Sequence, residues 1–82
     1  MPYITKDRRI SKDHFPVPIT PGELNFMITL LIQRYMEKRE PNYQTFNDVL
    51  GALEGAKLEF YRRVVVPYED EKIIENGDVY DA

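Results

Sequence analysis

Arg62 and Arg63 stand between Tyr61 and Tyr68, with Lys57 one helical turn before Tyr61. Guanidinium forks suit phosphate or carboxylate, and a tyrosine ring can stack on a base. Lys57, Tyr61, Arg62, Arg63 and Tyr68 are therefore the candidate ligand-binding residues. The ligand they suit is a phosphate-bearing small molecule such as a nucleotide. A symmetric oligomer would bring two such sets together, and a packed neighbour could add Arg8, Arg9, Arg34 or Arg39. The arginines also have a structural use. Glu59 lies three and four residues before them, so ion pairs along one helix explain both. Exposed pairs of that kind contribute little.

Catalytic chemistry has thinner support. The chain has no cysteine and one histidine, which excludes thiolate metal sites and thiol nucleophiles and leaves His14 a poor metal candidate. Ser11 is the only serine, with nothing local to activate it. All-α nucleotide pyrophosphatases hold magnesium with Glu-x-x-Glu and Glu-x-x-Asp motifs on facing helices. Glu37-Lys38-Arg39-Glu40 and Glu75-Asn76-Gly77-Asp78 match the letters. The first falls at a helix end before Pro41, and the second spans a helix stop, so neither aims two carboxylates inward from mid-helix. The expectation is a protein that is not an enzyme, with no metal and no cofactor; the pyrophosphatase stays as a minor alternative.

The elements that position these residues read as all-α. Thr20-Pro21-Gly22-Glu23 carries a capping hydroxyl, a proline suited to the first helical position and a glutamate three residues after the threonine. The spacing predicts a helix over about 21–39. Its apolar residues Leu24, Met27, Ile28, Leu31 and Tyr35 make one face. Phe26, Leu30, Ile32 and Met36 widen that face well beyond one side. A second helix is expected over about 44–66, with Thr45 and Asp48 as a weak cap. Phe46, Val49, Leu50, Leu53, Phe60, Tyr61 and Val64 recur on it at three- and four-residue spacing. Gly51/Gly55 and Ala52/Ala56 make one side nearly smooth. Asn47, Glu54, Leu58 and Tyr61 share a side with Gly51, where polar groups could bond to Asn25 or Thr29 and fix register. Pro67 should kink or end this helix. A short third helix follows to about Asn76, acidic in its first turn and stopped by Gly77. Residues 1–19 read as an extended, proline-punctuated arm, and 77–82 as a tail.

An 82-residue chain allows one small domain, and such a chain buries only about 60% of its unfolded surface. Without disulfides, oligomerisation is the source of extra stability that remains. The expected architecture is a single helical domain, 1–82, built as a helical hairpin plus a short C-terminal helix, in an oligomeric bundle. Phe26, Leu30, Gly51 and Gly55 are its candidate interface residues.

Net charge is −3. Residues 1–41 carry seven Lys/Arg against five Asp/Glu, and residues 42–82 carry four against nine. That balance argues against a duplex nucleic-acid partner. No apolar run exceeds three residues, so no membrane span is expected. No signal peptide is visible, and a cytoplasmic location is the expectation.

Met1-Pro2-Tyr3-Ile4, Thr20-Pro21-Gly22-Glu23-Leu24-Asn25, Gly51-Ala52-Leu53-Glu54, the stretch from Phe60 to Glu69, and Glu75-Asn76-Gly77-Asp78-Val79-Tyr80 together resemble a family of small uncharacterised proteins from bacteria and their phages. The resemblance covers nearly the whole chain. It implies a phage or mobile-element context, with host cytoplasm as the setting if phage-encoded, and a short chain complete as it stands. It carries no catalytic residues.

Two function classes follow. The first is a homo-oligomer that sequesters a phosphate-bearing ligand such as a nucleotide signal, as some small phage counter-defence proteins do; that is an analogy of size and helicity. The second is an interaction module that binds or inhibits a host protein, with Glu69-Asp70-Glu71 and Asp78-Val79-Tyr80 as candidate contacts.

Overall fold

A computed structural model describes residues 3–80. Met1 and Pro2 of the N-terminal motif, and Asp81 and Ala82 of the tail, lie outside the described residues. Those described form helices and connections, with no strand among them. The chain divides into two compact units, one over Tyr3–Gly51 and the other described from Ala52 to Tyr80.

In the first unit, residues 3–20 are extended apart from two single 3₁₀ turns, Lys6–Arg8 and Lys12–His14. Ser11 caps the second turn by accepting from the Asp13 N–H at 3.2 Å. Helix α1 then runs Pro21–Met36. Thr20 is its N-cap, and its hydroxyl accepts from the Glu23 N–H at 3.1 Å. The Glu23 carboxylate reaches back one residue further than a standard capping box, to the Ile19 N–H at 2.9 Å. Two donors at the helix entry are thus satisfied locally.

Helix α1 ends one turn short of the expected Arg39. The Arg39 guanidinium folds back instead, donating to the Tyr35 carbonyl at 2.7 Å and stacking over the Tyr35 ring at 3.6 Å. It satisfies a carbonyl that the helix would otherwise orphan, and Pro41 disfavours helix at Glu40.

Helix α2 spans Tyr43–Phe60, and the division between the units falls after Gly51 within it. Its cap is Asn42, whose side-chain oxygen accepts from the Thr45 N–H at 2.9 Å. Thr45 is the third helical residue rather than the cap, and it is the one buried residue among those described. Asp48 accepts instead from the Gln44 side chain at 2.9 Å.

The second unit continues the helix without a break. A π-helical turn, Tyr61–Val65, joins α2 to helix α3, Val66–Asn76. The short third helix expected after a stop at Pro67 is therefore the end of one long helical run. The reason is local. Proline has no N–H, and its ring crowds the carbonyl four residues back. A π turn widens the ladder at that point: the Val66 N–H bonds to the Tyr61 carbonyl, five residues back. Pro67 then sits in the first turn of α3, where a missing N–H is tolerated. Gly77 stops α3 with φ +87° and ψ 148°, a conformation that only glycine takes readily. Its N–H closes the last turn on the Ile73 carbonyl at 2.8 Å.

No apolar side chain among the described residues is buried. On α1, Phe26 is 61% exposed and Leu31 55%, while Met27, Ile32 and Met36 are half-buried. No described helix is long and apolar enough to cross a membrane.

Candidate functional site

The five candidate ligand-binding residues all lie in the second unit, on the end of α2, the π turn and the start of α3. Each is engaged by a neighbour on the same helical run. Lys57 Nζ lies 3.6 Å from Glu54, with both side chains exposed. Arg62 donates to Glu59 Oε1 at 2.9 Å, and Arg63 Nε lies 3.7 Å from the same oxygen. Glu59 is the most covered member of this group, its side chain 20% exposed. The two arginines are thus gathered on one half-buried carboxylate, as their spacing of three and four residues allows.

Tyr61 turns the other way. Its hydroxyl donates to Glu69 Oε1 at 2.8 Å, eight residues on. That hydrogen bond, and the Glu69 charge beside it, raise the phenol above its ordinary value of 10.0. Tyr68 lies under Lys72, whose ammonium is 5.4 Å from the ring centroid. Four local groups result: Lys57 with Glu54, Arg62 and Arg63 with Glu59, Tyr61 with Glu69, and Tyr68 with Lys72. Around Glu59 two cations share one carboxylate. Sequence spacing foretold Glu59. It did not foretell Glu69, because residues eight apart do not face each other on a regular α-helix.

The candidate interface residues are displayed as follows. Phe26 and Leu30 are exposed on α1. Gly51 is exposed on α2, and a Cβ built there would meet nothing within 4 Å. Gly55, one turn on, is half-buried. The Thr29 hydroxyl bonds to the Asn25 carbonyl within α1, at 2.9 Å.

One carboxylate of each magnesium-like motif is taken up locally. Glu37 pairs with Arg34 at 2.7 Å, and Glu75 pairs with Lys72 at 3.0 Å. Gly77 ends the helix between Glu75 and Asp78. Among the described residues no three His, Cys, Asp or Glu side chains cluster as a metal site.

The second unit also holds an open groove of about 600 Å³ against α3 and the tail beyond Gly77. Sequence reading did not find it, because it depends on the turn that Gly77 makes.

Over residues 1–79 the chain matches the family model of a domain of unknown function, DUF6899. The chain belongs to this family. No curated protein and no solved structure matches it. For this DUF6899 chain, function therefore has to be argued from its own residues.

Proposed function

We propose that the chain is a non-enzymatic binding protein that works as a homo-oligomer. One observation carries this reading: no apolar side chain among the described residues is buried, while α1 displays large apolar residues on more than one side. Burying a Leu, Ile or Phe side chain contributes about 1.5–3 kcal/mol, and a helix apolar on several sides needs partner surface on each. The assembly proposed is a helical bundle with α1 and α2 as its hairpin. Phe26, Leu30 and the small residues Gly51 and Gly55 lie at its contacts.

A protein is the cargo that the surface chemistry favours. Lys57, Arg62 and Arg63 each have a carboxylate partner, and Asp70 and Glu71, which make no ion pair among the described residues, leave an acidic edge on α3. That supports an interaction module acting on a host protein in the cytoplasm of a bacterium or a phage-infected cell. A second reading, capture of a phosphate-bearing small ligand, is favoured by one feature: Arg62 and Arg63 share a single carboxylate. Purification from the native host followed by native mass spectrometry separates the two. A multimer with a bound protein supports the first cargo, and a multimer with a few hundred daltons added per site supports the second. A bare monomer would overturn the oligomer itself.

A further inference from the structure

The open groove of the second unit has a defined chemistry. Val66, Ile73 and Tyr80 supply apolar surface, and Glu69, Asp70 and Asp78 supply carboxylates. Glu69 is held by Tyr61, and Asp78 turns one oxygen to the Tyr80 N–H at 2.9 Å. Asp70 is unpaired. The one cation of the lining, Lys72, is bound to Glu75. The groove therefore offers apolar side chains together with carboxylates.

The N-terminal arm has the complementary chemistry. Lys6, Arg8, Arg9 and Lys12 fall around Ile10, alternating with Asp7 and Asp13 so that the arm keeps a positive balance, and Ile10 is 67% exposed. Among the described residues none of these four cations makes an ion pair. The Arg9 Nε donates to the Ile4 carbonyl at 2.9 Å, which holds the arm in its local turn. No arm residue from Tyr3 to Ile19 is buried. A segment with a central apolar side chain, a net positive charge and a preformed turn loses little conformational freedom on docking.

We infer that the acidic groove on α3 is the docking site for the basic arm of a second copy of this chain, with Ile10 against its apolar side chains and Arg8 and Arg9 against its carboxylates. This rests on the homo-oligomer proposed above and gives it one of its contacts. Like charges on two arms would repel, and opposite charges on arm and groove fix which surfaces meet.

The test is a charge reversal with rescue, read as assembly mass by sedimentation at low salt. Arg8→Glu with Arg9→Glu reverses the arm, and Asp70→Lys with Asp78→Lys reverses the groove. Each variant alone should raise the dissociation constant at least about tenfold, and the two mixed should assemble again. Circular dichroism confirms that each keeps its helices. Wild-type mass retained by the reversed-arm variant would overturn the docking while leaving the oligomer standing, and so would failure of the mixture to assemble. A wild-type chain that sediments as a monomer would overturn the oligomer and the docking together.

Discussion

Tyr61 and Glu69 are joined by a 2.8 Å hydrogen bond across eight residues of one helical run. On a regular α-helix that spacing turns two side chains about 80° apart, whereas a spacing of seven is nearly in line. The π turn between them inserts one extra residue. Eight residues then cover the angle of about seven, and Glu69 comes under the long tyrosine side chain. Pro67 is the reason for the π turn, so a proline that lacks a donor sets the rotation of everything after it. The clasp is a consequence of that rotation.

The clasp has a pH signature. The Glu69 hydrogen bond favours the protonated phenol, so the Tyr61 value is raised above 10.0. A raised folded-state value contributes stability that is fully present below the unfolded phenol's value and lost as pH rises through the folded one. Tyrosine ultraviolet titration should show one phenol ionising late, and Tyr61→Phe should remove that component. In Glu69→Gln it should move back toward the ordinary value. A titration indifferent to Glu69→Gln would contradict the clasp.

Pro67→Ala removes the cause of the π turn. The ladder should then return to α register, and α3 should rotate by about 100°, one residue's worth. Stability should rise by less than the about 3 kcal/mol of an interior proline, since Pro67 sits in a first turn. The same change should abolish the late tyrosine. An unchanged tyrosine titration in Pro67→Ala would show that the π turn does not depend on the proline.

The helix caps give a simpler test. Thr20→Ala and Asn42→Ala should each cost about 1 kcal/mol by denaturant unfolding, and Thr20→Ser should recover most of the first loss. The sequence marked the Thr20 cap plainly, because hydroxyl, proline and glutamate sit at fixed offsets. It pointed past Asn42 to Thr45, since Asn42 is also a turn residue and the helix starts one residue earlier than its apolar pattern. The positions of all three helices were legible from apolar spacing and the Gly77 stop. Continuity through Pro67 was not, because proline reads as a break until a wider turn absorbs it. For the same reason Glu59 was legible as the arginines' partner and Glu69 as that of Tyr61 was not.

Gly51 separates chain stability from assembly. A Cβ there meets nothing within 4 Å among the described residues, so Gly51→Ala should favour the helix by about 1 kcal/mol. If Gly51 lies at a contact between copies, the same methyl should weaken assembly, and circular dichroism and sedimentation should move in opposite directions. Stronger helix with unchanged mass would remove Gly51 from the interface.

The central claim is that α1 buries its apolar residues against other copies. Sedimentation equilibrium of the wild-type chain beside Phe26→Ala and Leu30→Glu tests it most directly. The wild type should be a multimer. Each substitution should raise the dissociation constant by about tenfold or more, as removal of a buried interface side chain does. A wild type that is monomeric, cooperatively folded and unmoved by either substitution would contradict the account.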